Sequence, residues 1–208
     1  MRTHTYDQEA AMFIQMIQGP CSKQDEARQM INTWHQELAP GATGWLGGTH
    51  GFTDDGQLIG VIRFDSREAA MANSDRPEQG EWAARLMALM DGPVEFHDCD
   101  DVTLLMDGGS DDAGFVQIIR GRVDDPSRLK AMMADTTTLH EMRPDILGGT
   151  LAIEDDGSFV ETIAFTSEAA AREGEKIEPP PEVRSELAYA MQSATFYDLH
   201  QPWFESRA

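Results

Sequence analysis

The sequence contains two copies of one unit of about 100 residues, and this duplication constrains the fold more than any other feature. Residues 13–19 (FIQMIQG) match residues 115–121 (FVQIIRG) at an offset of 102. Four further matches follow in the same order at offsets of 101 or 100: Gly47-Gly48-Thr49 with Gly148-Gly149-Thr150, Asp54-Asp55-Gly56 with Asp155-Asp156-Gly157, Ile62-Arg63-Phe64 with Ile163-Ala164-Phe165, and Phe96-His97-Asp98 with Phe196-Tyr197-Asp198. Because chance rarely places such matches in one order with so little drift, we predict a tandem duplication.

A polar, glycine-rich segment marks the predicted boundary between the copies. Residues 107–114 (DGGSDDAG) combine turn-forming and charged side chains, a composition that is typical of a linker. We therefore expect a first repeat at residues 1–106, a linker at residues 107–113 and a second repeat at residues 114–208.

Each copy carries the same order of predicted elements. An apolar run of strand length comes first, at residues 12–18 and 115–120. A helix with apolar residues at helical spacing follows, and then two strands joined by the Asp-Asp-Gly turn. A short alanine-rich helix, a second helix and a closing strand at residues 94–98 or 194–198 complete the copy. This β-α-β-β-α-β order is that of the ferredoxin-like unit, so the predicted fold class is α+β.

The sheet of such a unit has helices on one face, and its other face needs cover. In the predicted strand 57–64, Leu58 and Ile62 alternate with Ile59 and Val61, so apolar side chains point to both faces. A lone unit would leave this apolar surface in water. We therefore predict that the two ferredoxin-like units pack sheet to sheet, as a pseudo-dimeric α/β barrel within one chain.

This pattern resembles the dimeric α/β-barrel superfamily and, within it, the antibiotic-biosynthesis-monooxygenase-like group, here as a fused tandem pair. Residues 73–82 (NSDRPEQGEW), with Phe96-His97-Asp98 downstream, are similar to uncharacterised bacterial proteins of that kind. The resemblance covers nearly the whole chain as architecture, and it implies a ligand pocket between a sheet and its overlying helices. The superfamily includes cofactor-free monooxygenases, haem-degrading and haem-binding enzymes, isomerases and members with no known activity. No catalytic residue set of the family matches this sequence, so the resemblance assigns no residue a role.

Charge and cysteine content exclude several classes of protein. The chain has 37 acidic and 16 basic residues, and its net charge of −21 opposes binding to nucleic acid or to an anionic membrane. No apolar run approaches the ~20 residues that span a bilayer, and residues 1–7 lack the apolar stretch of a signal peptide. Cys21 and Cys99 show neither metal-ligand spacing nor the density of a disulfide scaffold. We expect a soluble cytoplasmic protein without nucleic-acid or membrane partners.

The first copy is richer than the second in large or ionisable side chains. At aligned positions, seven such residues correspond to mostly small or apolar ones: Trp34, His35, Trp45, His50, Arg63, Trp82 and His97 to Thr136, Thr137, Ile146, Leu151, Ala164, Glu182 and Tyr197. A structural position should stay apolar in both copies, whereas a functional one can survive in one copy alone. We therefore place any chemical site in residues 1–106.

Three residues of the first copy are candidates for catalysis: His50, Arg63 and His97. His50 lies in a glycine-rich predicted strand that a ligand could approach, and histidine is the natural general base near neutral pH. The alternative is a half-exposed structural histidine beside a hairpin. If Arg63 faces the barrel interior, it needs an anion from Glu95 or from a ligand; otherwise it lies at the sheet rim and pairs with a surface carboxylate.

Trp45, Arg76 and Trp82 are the predicted ligand-binding residues. Trp82 lies on an apolar helix face, where a packed-core role is the alternative to ligand stacking. Arg76 precedes a predicted helix, whose free N–H groups could bind an anion together with the guanidinium. The alternative for Arg76 is an ion pair with Glu78 or Glu81.

The sequence predicts neither a metal site nor a cofactor, because it lacks the metal-ligand spacings and the phosphate-binding glycine loop. The resemblance implies a cofactor-independent monooxygenase acting on a small aromatic or polyketide-like molecule. In such an enzyme we would expect Arg63 or His50, from their predicted positions, to stabilise the enolate or phenolate that reacts with oxygen. The alternative is a non-catalytic protein that binds a hydrophobic metabolite or haem. We expect a monomer, which is an internal pseudo-dimer, or a homodimer.

Overall fold

The computed structural model describes residues 12–133 and 136–207. Residues 1–7, on which the expectation of no signal peptide rests, lie outside this range. In the first half the elements are β1 (Phe13–Pro20), α1 (Gln24–Glu37), a 3₁₀ turn (Ala39–Gly41), β2 (Trp45–Phe52), β3 (Gln57–Phe64), α2 (Arg67–Ser74), α3 (Pro77–Met87), β4 (Glu95–Cys99) and β5 (Asp101–Leu105). In the second half they are β6 (Phe115–Arg122), α4 (Pro126–Met133), α5 (Thr136–Met142), β7 (Ile146–Ile153), β8 (Ser158–Phe165), α6 (Glu168–Gly174), α7 (Pro181–Met191), β9 (Thr195–Leu199) and β10 (Trp203–Ser206).

The predicted β-α-β-β-α-β order is confirmed in both repeats, and the same local interactions set it. Ser66 caps α2 by accepting a hydrogen bond from the backbone N–H of Ala69, and Ser167 caps α6 through Ala170 at the same distance of 3.2 Å. In both Asp-Asp-Gly turns the glycine has positive φ, which a side chain would disfavour. Equivalent residues therefore form equivalent elements.

The two five-stranded antiparallel sheets exchange their last strands. The strand orders are β10-β2-β3-β1-β4 and β5-β7-β8-β6-β9. Strand β5 is the last strand of the first repeat but pairs with β7 of the second, whereas β10 is the last strand of the second repeat and pairs with β2 of the first. The division at residues 107–113 stays a prediction about the repeat units; the pairing shows that each sheet takes one strand from the other repeat.

The sheets pack face to face, as predicted. Their shared apolar layer contains residues of both repeats, including Ile14, Met16, Ile59 and Val61 from the first and Val116, Ile118, Val160 and Ala164 from the second. Burial of this layer removes the apolar surface that a lone unit would expose to water.

The helix-covered faces of the two sheets are packed differently. In the second repeat one cluster fills this space and includes Phe115, Leu151, Phe159 and Phe165. In the first repeat the equivalent core is divided into two clusters, one around Trp34 and Trp45 and one around Ile31 and Leu86. Across the described ranges, the structure contains no helix that is long and apolar enough to cross a membrane.

Candidate functional site

A cavity of about 120 Å³ lies between the first sheet and the helices α1, α2 and α3, bordered by both clusters of the first repeat. This is the place that the family resemblance implies for a ligand. Five aromatic side chains line it: Phe13, Trp34, Trp45, Phe64 and Trp82. On the same measure of volume one water molecule needs roughly 10–15 Å³, so the cavity has room for a small organic molecule.

The tryptophans of the cavity wall are held in place by their own hydrogen bonds. The indole N–H of Trp34 donates to Oε1 of Gln79 at 2.6 Å, and that of Trp82 donates to the carbonyl of Met30 at 3.1 Å. Trp45 packs edge-on against Trp34, with ring centroids 5.3 Å apart. Trp45 and Trp82 therefore belong to the core packing and border the cavity at the same time.

His50 is buried in the cavity wall rather than half-exposed, with 5% of its surface accessible. Two glycines make room for its ring: a Cβ on Gly48 would lie 2.6 Å from Nε2, and a Cβ on Gly60 would lie 3.2 Å from Nδ1. Trp203 stacks on the imidazole at 5.4 Å. The glycine-rich strand thus accommodates the histidine ring against the cavity.

Glu205 is the acidic neighbour of His50, and sequence analysis did not identify it. Its Oε2 lies 3.6 Å from Nε2 of His50, and both side chains border the cavity. Glu205 lies in the exchanged strand β10, opposite Gly48, and is 7% exposed. Among the described residues none offers its Oε1 a hydrogen-bond partner. The site of the first repeat is therefore completed by a residue of the second.

The equivalent positions of the second repeat are apolar. Leu151 occupies the place of His50, and Leu105 of the exchanged strand β5 lies opposite Gly149 as Glu205 lies opposite Gly48. Both leucines are buried in the core cluster. The same fold thus accepts two leucines where the first repeat has a histidine and a glutamate.

A buried carboxyl also occurs in the second repeat. Glu161 pairs in register with Leu151, as Gly60 pairs with His50. Burial raises the pKa of Glu161 to about 7. At this place the second sheet therefore has a buried acidic side chain beside a leucine, whereas the first sheet has an acid beside a base.

Another polar pair of the cavity wall is present in both repeats. Gln15 donates to Asp98 at 2.7 Å, and Gln117 donates to Asp198 at 2.9 Å. Because both copies keep this hydrogen bond, it is explained by the architecture and marks no special site.

Arg63 does face the barrel interior, on the same side of β3 as Val61. It borders a separate cavity of about 20 Å³ between the sheets and donates to the Thr49 hydroxyl at 3.1 Å. Burial lowers the pKa of its guanidinium, and the carboxylate of Asp111 in the linker opposes this shift. Glu95 is not its partner, because Glu95 pairs with Arg120.

His97 and Arg76 make structural contacts elsewhere. Nδ1 of His97 lies 3.2 Å from Glu154 of the second repeat. Arg76 forms an ion pair with Glu78 at 3.0 Å, as in the alternative to anion binding given above. It also donates a hydrogen bond to the side chain of Asn73. Of the six predicted site residues, His50, Trp45 and Trp82 border the cavity together. Among the described residues that form its wall, Arg63, Arg76 and His97 are absent.

Comparison with known proteins places the fold. No protein-family model and no curated protein matches the chain. A "putative monooxygenase" from Lactobacillus acidophilus is similar over 94% of this chain and 97% of its own, with a TM-score of 0.72 and 12% identity. One from Fusobacterium nucleatum is similar over 96% of each chain, with a TM-score of 0.73 and 10% identity. A protein described as anthrone oxidase-like covers 96% of this chain and 95% of its own, with a TM-score of 0.65 and 11% identity.

These similarities extend over both repeats and both sheets. At such low identity they establish the fold alone, and the chemistry has to be inferred from the residues of the site. The chain therefore shares the fold of these proteins over nearly its whole length, and its two ferredoxin-like units confirm the predicted α+β fold class.

Proposed function

We propose that the chain is a cofactor-independent, monooxygenase-like enzyme that oxidises a small aromatic or polyketide-like molecule in the cavity of the first repeat. One observation carries this proposal: a buried His50–Glu205 pair borders an aromatic-walled cavity, and the equivalent places of the second sheet are taken by Leu151 and Leu105. The names of the three similar proteins, two monooxygenases and one anthrone oxidase-like protein, point in the same direction.

In this mechanism His50 is the general base. It removes a proton from a substrate CH₂ group that is flanked by a carbonyl or by aromatic rings, which leaves an enolate or phenolate. The carbanion-like carbon gives one electron to O₂, and the resulting radicals combine to form a C–O bond in a hydroperoxide. Loss of water then converts CH–OOH into C=O, so CH₂ and O₂ yield C=O and H₂O. The substrate supplies all the electrons, and no external reductant is needed.

The surroundings of His50 suit this role. Both side chains of the pair are buried, so bulk water screens their electrostatic interaction only weakly. When His50 takes the proton, the positive charge forms 3.6 Å from the Glu205 carboxylate. That carboxylate stabilises the imidazolium that forms.

Oxygen uptake tests the proposal directly. The purified chain, treated with a chelator, is incubated with a panel of anthrones and hydroxyanthrones, whose CH₂ group lies between two aromatic rings. We expect one O₂ consumed per product molecule, with incorporation of one ¹⁸O atom from ¹⁸O₂. In His50→Gln the rate should fall about 10²- to 10⁴-fold, the usual contribution of a general base.

The matched control is His140→Gln, which changes an exposed histidine of α5 and should keep the wild-type rate. Equal rates in the His50 and His140 variants would refute the assigned role of His50. Tight binding of panel members without any oxygen uptake would favour the non-catalytic binding protein instead.

A further inference from the structure

We propose that Glu205, on the strand that the second repeat contributes, selects a ligand that carries a hydroxyl group as a hydrogen-bond donor. This inference deepens the proposed function and rests on the same cavity, but it concerns recognition and does not require oxidation. It identifies the substrate class as neutral hydroxylated aromatics.

The first argument is an unsatisfied acceptor. Glu205 is 93% buried, borders the cavity, and finds no hydrogen-bond partner for Oε1 within the described residues. A buried polar atom without a partner lowers stability, so native proteins rarely keep one without a use. A ligand hydroxyl in the cavity would supply the missing donor.

The second argument is the geometry of the pair. The 3.6 Å between Oε2 of Glu205 and Nε2 of His50 exceeds the length of a good hydrogen bond. The two groups attract each other, but their contact leaves hydrogen-bonding capacity on both of them. Both can therefore engage a third polar group, which the ligand would provide.

The third argument is the second repeat. Leu105 lies opposite Gly149 in the same register in which Glu205 lies opposite Gly48, and it is 3% exposed. A leucine at this place packs well, so the fold does not require a carboxylate there. The carboxylate occurs at the sheet that also carries the histidine and the cavity, which ties it to the ligand.

The chemistry of a carboxylate defines the ligand class. An ionised carboxylate only accepts hydrogen bonds, so it favours phenolic or enolic hydroxyl groups over their methyl ethers. It also repels a ligand carboxylate. The aromatic side chains supply the apolar contact surface for the rings.

Calorimetric titration with three naphthalenes tests this inference. The probes are 1-naphthol, its methyl ether 1-methoxynaphthalene, and 1-naphthoate. We expect the wild-type chain to bind 1-naphthol about tenfold more tightly than the ether and to reject 1-naphthoate. In Glu205→Leu, which copies the second repeat, the preference for the hydroxyl should fall below about twofold.

Two further variants complete the design. Glu205→Gln keeps a carbonyl acceptor but loses the charge, so it should still prefer 1-naphthol and should admit 1-naphthoate about tenfold better. The matched control Glu154→Gln changes another glutamate that contacts a histidine, His97, outside the cavity wall, and should keep the wild-type preferences.

The inference is overturned if a folded Glu205→Leu chain keeps the tenfold preference, or if wild type does not bind 1-naphthol. Should the leucine variant not fold, the response of Glu205→Gln to 1-naphthoate decides: an unchanged rejection contradicts the inference. Binding with the expected preferences but without oxygen uptake would refute the proposed oxidation and leave this inference standing.

Discussion

The energetic coupling of His50 and Glu205 can be measured with a double-mutant cycle. Their side chains are 6% and 7% exposed and lie 3.6 Å apart. The cycle is measured at about pH 5.5, where an ordinary imidazole is protonated, so that the pair carries two unit charges. At an effective dielectric constant of roughly 20, such charges at this distance attract by about 4–5 kcal/mol. Removal of one partner leaves the other buried and unpaired, and we expect each single leucine variant to lose about 3 kcal/mol of unfolding free energy.

The double variant His50→Leu/Glu205→Leu should lose less unfolding free energy than either single variant. A coupling of about 4 kcal/mol predicts that it lies within about 2 kcal/mol of wild type. The buried pair Leu105 and Leu151 shows that the fold accepts leucine at both places.

The assay is urea unfolding followed by tryptophan fluorescence at low and high salt. A buried pair is screened weakly, so the coupling should persist in 0.5 M salt, a concentration at which exposed pairs of roughly 10 Å separation are screened. Simple additivity, in which the double variant loses the sum of the two single losses, would refute the reasoning that the two groups act as a pair.

Two further perturbations give defined outcomes. Burial raises the pKa of Glu161 from 4.5 to about 7, so between these pH values the folded chain holds a proton that the unfolded chain releases. The contribution of Glu161 to the free energy of unfolding is therefore complete below pH 4.5 and is lost as the pH rises through 7. Urea unfolding at pH 4.5 and 8 should show wild type losing about 3 kcal/mol more than Glu161→Gln, and equal losses would contradict the assignment. A Cβ on Gly48 would lie 2.6 Å from Nε2 of His50, so Gly48→Ala should displace the ring and lower the oxidation rate at least about tenfold, by the cost of a misplaced catalytic group. Gly80→Ala, whose Cβ meets nothing within 4 Å, should keep the rate and gain about 0.5–1 kcal/mol; a similar rate loss in both variants would argue against displacement of His50.

The order of the elements could be predicted because the repeat doubles every local signal. The strand expected at 12–18 is found at 13–20, and the closing strands expected at 94–98 and 194–198 are found one residue later. The apolar residues on both faces of β3 correctly indicated the sheet-to-sheet packing.

The strand exchange could not be predicted from these local patterns. Residues 101–105 have the β-branched and apolar composition of a strand, but composition does not say which sheet edge a strand joins. That choice depends on pairing between residues far apart in the chain. Because the exchange was missed, Glu205 in β10 was missed too, although continuing the repeat at an offset of 100 aligns it with Leu105.

The candidate catalytic residues could have been sorted further with the hairpin register. The Asp-Asp-Gly turn sets His50 opposite Gly60 and Gly47 opposite Arg63. Gly60 and Arg63 are three positions apart in β3, and residues an odd number of positions apart point to opposite faces of a strand. His50 and Arg63 therefore cannot share a pocket. The cavity itself was not predictable, because it depends on how large side chains from three helices pack over the first sheet.

A crystal structure of the chain with a bound hydroxyanthrone tests the central claim most directly. We expect the rings in the cavity of the first repeat, against the aromatic wall that includes Trp34, Trp45 and Trp82. The ligand hydroxyl should lie within hydrogen-bond distance of Glu205 and the reacting carbon against His50. Density for the ligand between the two sheets beside Arg63, or over the second sheet, would contradict the account.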